Sequence, residues 1–354
     1  MSILDEASEV REGESLDLDK VDQYLKQALP DLEGPLQVKQ FPGGASNLTY
    51  LLRYLNGDLI LRRPPFGHIA KSAHDMIRES NIMQALRPVY PYVPGILAQC
   101  DDHSVMGCDF YVMERFVGII PRQEMPKEVA LNEADTRRLC LNVIDKLVEL
   151  HQVDYKKAGL EGIGKGSGYV KRQIEGWSDR YTKAITEDAT SFETVIAWLK
   201  EKMPEDVGTC IIHNDYRFDN VVLNPDNPFD IIGVLDWEMA TLGDPLMDLG
   251  NTLAYWVQAD DDPPFQFMRR QPTHLNGMLT REEVVDYYLG KSGLTLATFD
   301  FYEIYGLFRL AAIIQQIYNR YYHGYTKDKR FAGFVHAAQY LEQRCLKLIE
   351  NSEL

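Results

Sequence analysis

Hydrophobic positions recur with two different periods along this chain. Up to about residue 117, short runs of strand character alternate with turn residues: Leu36 to Phe41, Leu48 to Tyr54, Leu59 to Arg63, Ile96 to Gln99 and Phe110 to Met113. These predict a five-stranded antiparallel sheet. Two helices accompany it. Val21, Tyr24, Leu25 and Leu29 fall at helical spacing before Pro30 stops the run, and Ile77, Ile82 and Met83 mark a helix over Ile69 to Leu86. Beyond Gly118 long amphipathic segments take over. Asn132 to His151 sets Leu139, Val143, Leu147 and Leu150 on one face, and further helices follow near Arg281 to Gly290, Thr298 to His323 and Phe331 to Glu350. Their aromatics, Tyr302, Tyr305, Phe308, Tyr318, Tyr321 and Tyr322, mostly keep helical spacing and read as core. The pattern therefore predicts an α+β chain of two lobes. Residues 1–117 form a small lobe that begins with a flexible arm over 1–17, and residues 118–354 form a larger, mainly helical one.

The helical period breaks once in the second lobe, over Cys210 to Glu238. Apolar runs Cys210 to Ile212, Val221 to Leu223 and Ile231 to Leu235 are joined by a polar loop, HNDYRFDN, and by the turn residues Asn224 to Pro228. Strand, loop and hairpin in that order bring Asp215, Asn220 and Asp236 toward one end of the hairpin. An aspartate, an asparagine five positions on and a second aspartate after a hairpin match the residue inventory of phosphoryl transfer from ATP, although an Asp/Asn-rich loop is also read as plain turn chemistry. One carboxylate, Asp215, orients an acceptor hydroxyl and takes its proton. An amide oxygen, Asn220, and another carboxylate, Asp236, suit Mg²⁺, which prefers hard oxygen ligands and leaves the rest of its shell to water and phosphate.

Composition narrows the setting. The 354 residues are 45% hydrophobic and 25% charged, ordinary for a globular chain, with a formal charge of −16. That charge argues against nucleic acid or an anionic membrane surface as a partner and is compatible with a cationic small molecule. Five cysteines without a CxxC pair fit reduced thiols. The acidic, polar N-terminus and the lack of a long apolar run point to the cytoplasm.

Several stretches carry resemblance as well as chemistry. HNDYRFDN, VLDWE and GDPLMDLG resemble the aminoglycoside phosphotransferase and choline kinase-like superfamily, which shares the protein-kinase fold. FPGGASNLTYLL, LILRRPP, YVMERFVG and GYVKRQIEGW resemble more narrowly the kinase-like domains associated with acyl-CoA dehydrogenases. The likeness runs from about Phe41 to Leu253. It implies ATP between two lobes, under a loop containing Gly43, Gly44, Ser46 and Asn47. It implies that Arg62 contacts phosphates where relatives often carry lysine, that Glu79 pairs with Arg62, and that Glu114 and Phe116 form the hinge at the adenine. Asp248 is implied to brace the 213–220 loop from behind. A functional link to an acyl-CoA dehydrogenase is implied too; the oligomeric state is not.

Other features read more plainly. His151 reads as a helix-terminal packing residue and Asp244 as a helix cap. Gly159 to Gly168 approaches a P-loop, but Gly166 stands where the hydroxyl residue belongs and no buried strand precedes it. Lys165, Lys171 and Arg172 read as a solvated face or as contacts for an anionic acceptor. Ala259 to Thr280 reads as a polar loop near the acceptor, and Asp260, Asp261 and Asp262 within it as a solvated run or a seat for a cationic drug. The function expected is a small-molecule kinase acting on a hydroxy acid or hydroxyacyl-CoA. An aminoglycoside or other amino-alcohol phosphotransferase is one rival, and a catalytically silent kinase-fold binding protein is another.

Overall fold

The computed structural model describes residues 4–42, 47–66 and 75–354. In chain order its regular elements are α1 (Leu18–Ala28), β1 (Gln37–Gln40), β2 (Leu48–Tyr54), β3 (Gly57–Arg63), α2 (Met76–Leu86), β4 (Ile96–Cys100), α3 (His103–Met106) and β5 (Phe110–Glu114). Then come α4 (Glu133–His151), α5 (Tyr169–Ala184), α6 (Glu193–Glu201), β6 (Cys210–Ile212), β7 (Val221–Leu223), β8 (Ile231–Val234) and β9 (Thr241–Gly243). Helices α7 (Pro245–Leu253), α8 (Pro263–Phe267), α9 (Arg281–Ser292), α10 (Asp300–Tyr322) and α11 (Phe334–Asn351) complete the chain. The elements pack into two units. The first comprises Met1–Ile120, Lys156–Leu160 and Asn220–Ala240, the second Pro121–Tyr155, Glu161–Asp219 and Thr241–Leu354.

The first unit is built on the antiparallel sheet β1-β2-β3-β5-β4. Strand side chains alternate between faces, and Tyr50, Leu52, Tyr54, Leu61, Phe110 and Val112 form one core together with Val21 and Leu25 of α1. Arg62 and Tyr111, one residue out of phase with Leu61 and Phe110, therefore fall on the other face. Asp17 caps α1 by accepting from the Lys20 amide, and Asp75 caps α2 by accepting from the Arg78 amide. The expected flexible arm is instead tied to the sheet edge: Ser8 and Gln40 exchange backbone hydrogen bonds at 2.8 Å, and Tyr50 donates to the Glu14 carbonyl. The unpaired edge of β1 supplies the reason. The hairpin of β7 and β8 belongs to this unit, where Ile119 and Leu223 exchange backbone bonds at 2.9 and 2.8 Å.

The second unit is helical around α10, which packs on α5, α7 and α11. Helix α7 is buried along its whole length. It crosses α10 where two glycines meet, since a Cβ at Gly306 would come within 2.1 Å of the Gly250 carbonyl oxygen. Strands β6 and β9 pair antiparallel, Cys210 opposite Gly243. Asp244 caps α7, accepting from the amides of Leu246 and Met247.

The segment 259–280 is more than a polar loop. It contains α8, and Gln271 and Thr273 are buried within it. Asp261 lies in ion pairs with Arg281 at 2.6 Å and Arg344 at 3.0 Å, while Asp262 accepts from Tyr340. Asp260 and Asp262 are exposed, as a solvated run requires, while Asp261 between them is taken up by two arginines. Tyr302, Tyr305, Phe308 and Tyr318 are buried, whereas Tyr321 and Tyr322 are not. Among the described residues no helix is long and apolar enough to cross a membrane.

Candidate functional site

In the first unit, Arg62 gathers three carboxylates. Its Nη2 lies 2.9 Å from Asp236, 3.7 Å from Glu79 and 3.8 Å from Glu238. Strand β3 aims it there, and α2 supplies Glu79 from its first turn. Glu79 is 1% exposed and lies against the Tyr111 hydroxyl. Burial pushes its carboxyl above the ordinary range, with Arg62 pulling the other way. Glu238, which the sequence reading passed over, accepts from Asn47 Nδ2 at 2.7 Å. Asn47 stands at the edge of the glycine turn; Gly43, Gly44 and Ser46 themselves lie outside the described residues.

The hairpin explains how Asn220 and Asp236 come to share one end. Val221 pairs with Val234, and the Leu235 amide donates to the Asn220 carbonyl at 2.8 Å. Asp236 itself holds a left-handed backbone, φ 69° and ψ 63°. Such a conformation costs a non-glycine residue about 1–3 kcal/mol and persists where its surroundings enforce it. Here the enforcement comes from Trp237, buried edge-on to Tyr90, with its indole N–H bonded to the Val234 carbonyl at 2.8 Å.

Glu114 and Phe116 sit at the end of β5. The Glu114 carboxylate pairs with Arg87 at 2.8 Å. The Phe116 ring packs over Gly233, where a Cβ would approach it to 2.3 Å, so the hairpin needs glycine at that point.

In the second unit, the loop after β6 is bolted from behind. Asp248 accepts from the amides of His213 at 2.8 Å and Asn214 at 2.7 Å, and from His151 Nε2 at 3.0 Å. His151 Nδ1 meets the Tyr288 hydroxyl at 2.6 Å. Burial alone would raise the Asp248 carboxyl, but the bond to His151 and its charge hold it below the ordinary range. His151 is thus a helix-terminal residue with a definite task, the fastening of Asp248. The loop backbone is also left-handed at Asn214, φ 66°.

Asp215 follows directly. Arg217 reaches its Oδ2 at 3.2 Å, reaches Asp219 at 3.1 Å, and lies 4.5 Å over the ring of Tyr255. Arg217 was legible in HNDYRFDN as a cation two residues from each of two aspartates, yet nothing local signals that Tyr255 would flatten it in place. Gln271, from the supposed loop, accepts from the Phe218 amide at 2.8 Å. Lys171 faces Glu175 across the surface at 3.9 Å, and Arg172 turns back to the Gly166 carbonyl at 2.8 Å.

Taken separately, the units hold an arginine among carboxylates beside a strained hairpin end, and a braced loop presenting an aspartate. This is the equipment of a phosphotransferase with an alcohol group as acceptor, on a protein-kinase-like fold. Residues 37–279 match the phosphotransferase enzyme family, APH, and the chain belongs to that family. It is 34% identical over 320 residues to acyl-CoA dehydrogenase family member 10 of Mus musculus, a match covering 88% of this chain and 29% of that protein. The chain thus spans less than a third of that relative's length. Among solved structures, a putative aminoglycoside phosphotransferase from Ralstonia eutropha is similar at a TM-score of 0.81 with 26% identity, over 96% of this chain and 100% of that one. Aminoglycoside phosphotransferase APH(4)-Ia, solved as a mutant with AMP-PNP and hygromycin B, shares the fold at a TM-score of 0.58 with 13% identity, over 94% and 99% of the two chains.

Proposed function

We propose that this chain is an ATP- and Mg²⁺-dependent small-molecule kinase that phosphorylates a hydroxyl of a hydroxy acid or hydroxyacyl-CoA. The observation that carries the reading is Arg62 held against Asp236, with Glu79 enclosed behind it. A buried guanidinium matched to carboxylates has the charge and the fork to meet a triphosphate. Asn47 and the glycine turn cover the nucleotide in this reading, while Glu114 and Phe116 border the adenine.

The donor set fits Mg²⁺. Asn220 and Asp236 offer an amide and a carboxylate oxygen at one hairpin end, hard donors of the kind Mg²⁺ takes alongside water and phosphate. When bound, the metal supplies charge neutralisation at the phosphates. Asp215 receives the proton of the acceptor hydroxyl, and the Asp248–His151–Tyr288 brace keeps its loop from shifting. Arg217 lies on Asp215 and restrains the carboxylate's rotation.

The likeness to a part of acyl-CoA dehydrogenase family member 10 supports an acyl-type acceptor and a functional link to such a dehydrogenase. A cationic aminoglycoside is less well served, since Asp261 and Asp262 are occupied by Arg281, Arg344 and Tyr340. The test has two parts. ATP should raise the melting temperature only when Mg²⁺ is present, and a metabolite panel should reveal acceptor-dependent ADP release. Asp215→Asn should cut turnover by about 10²–10⁴-fold while ATP affinity stays within a few-fold. Near-normal turnover of that variant would remove Asp215 from its role.

A further inference from the structure

Beside the 213–220 loop, inside the second unit, lies a charge that the protein leaves unmatched. Arg309 of α10 is 4% exposed. Its Nη2 donates to the Asn214 carbonyl at 3.0 Å, and its guanidinium stands 5.2 Å from the centre of the Trp177 ring. Among the described residues these are its polar and cation–ring contacts, and no carboxylate lies within ion-pair distance. Arg62, Arg281 and Arg344 differ: each meets a carboxylate, at 2.9, 2.6 and 3.0 Å. Asp248 and Asp215 share the neighbourhood, but their carboxylates are taken elsewhere, Asp248 by His151 and the amides of His213 and Asn214, Asp215 by Arg217. The phenols of Tyr169, Tyr255 and Tyr305 are kept neutral by burial, which drives their pKa values upward.

Two further enclosed polar groups stand in the same neighbourhood. Asn251 spends its amide N–H on Asn214 Oδ1 at 3.1 Å, leaving its own Oδ1 enclosed and unbonded. The Tyr305 hydroxyl, one turn before Arg309 on α10, is enclosed beside Trp177, the same ring that Arg309 approaches. A buried cation without a counter-charge is costly, and its ring contact and single carbonyl recover only part of that cost. Such a group is retained where something anionic reaches it.

We infer that Arg309 is the anion-binding residue of the acceptor site, receiving a carboxylate or phosphate group of the molecule whose hydroxyl is presented to Asp215. The placement follows from the chain: Arg309 grips Asn214, and Asp215 is the next residue. One guanidinium nitrogen is occupied by the Asn214 carbonyl, which leaves further N–H donors for the anion. Tyr305 and Asn251 add a hydroxyl and an amide oxygen that select for acceptors with polar groups beside the anion. Acceptors whose charge is removed lose the attraction and leave Arg309 unmatched, so discrimination against neutral analogues is expected to be strong. The inference rests on Asp215 being the residue that handles the acceptor hydroxyl.

The experiment compares wild type, Arg309→Gln and Arg309→Lys, using the full chain with Mg²⁺ and a non-hydrolysable ATP analogue. The probes are short-chain hydroxycarboxylates, their methyl esters and their coenzyme A thioesters, read by thermal shift and, with ATP, by ADP release. We expect the acids or the thioesters to bind at least about tenfold more tightly than the methyl esters. A preference for acids assigns the carboxylate as the bound anion, and a preference confined to thioesters assigns a coenzyme phosphate. Arg309→Gln should erase the preference, Arg309→Lys should keep part of it, and affinity for the ATP analogue should not change. Methyl esters that bind as well as the charged probes overturn the inference in wild type alone, as does the absence of any shift. A preference that survives Arg309→Gln, or a loss of nucleotide affinity matching the loss of acceptor affinity, overturns it as well. Tight binding of the acid through Arg309 without ADP release would instead sink the kinase reading and leave the anion site standing.

Discussion

Glu79 is the side chain whose environment departs furthest from what its local sequence suggests. On the helix surface it resembles a solvated glutamate, yet it is enclosed beside Arg62 and Tyr111. Its carboxyl is raised because burial outweighs the pull of Arg62. The direction of linkage follows. A group that holds its proton more tightly when folded contributes stability below its unfolded pKa, and that contribution is lost as pH rises through the folded pKa. Glu79→Gln, which cannot ionise, should therefore melt higher than wild type at neutral pH. The gap should shrink as the pH is lowered through the raised pKa of Glu79, and thermal melts across pH check it. Under the kinase reading the same variant loses turnover, a stability gain accompanied by loss of function. A variant that melts lower at neutral pH would show that the pairing with Arg62 outweighs burial.

Elements were legible where their signals are local. The α7 cap at Asp244 and the periods of α1 and α4 all lie within a few residues of what they control. The short elements α3, α6, α8 and β9 carried too little periodicity to stand out. The segment 259–280 was misread as a loop because the burial of Gln271 and Thr273 depends on distant partners, Gln271 serving the Phe218 amide and Thr273 the Val257 carbonyl. At this scale the sharpest prediction concerns the crossing of α7 and α10. Gly306→Ala would set a methyl 2.1 Å from the Gly250 carbonyl oxygen, a contact that backbone must move to relieve. A loss of at least about 1–3 kcal/mol is expected by chemical denaturation. An unchanged denaturation midpoint would mean that the helices do not approach so closely.

For the molecule as a whole, the charge of −16 is the dominant long-range quantity. Like charges repel across the surface, and salt screens them over a distance of about 10 Å at 0.1 M. Raising sodium chloride from about 10 to about 150 mM should therefore raise the melting temperature. A fall would mean that attraction within pairs such as Arg281–Asp261 outweighs the net repulsion. The hairpin carrying Asn220 and Asp236 packs with the first unit although it lies far along the chain, a membership no composition or period could announce.

By itself the sequence determined the periods of helix and strand, the caps, and the loop-and-hairpin order that sets Asn220 and Asp236 at one end. These depend on residues a few positions apart, where backbone geometry leaves few choices. Only the tertiary structure decided which charges are matched. Arg62 finds Asp236 across 174 positions, Arg309 reaches Asn214 across 95, and Asp261 is taken by Arg281 and Arg344. Pairing of that kind depends on which side chains are enclosed together away from water, and enclosure is a property of the packed molecule.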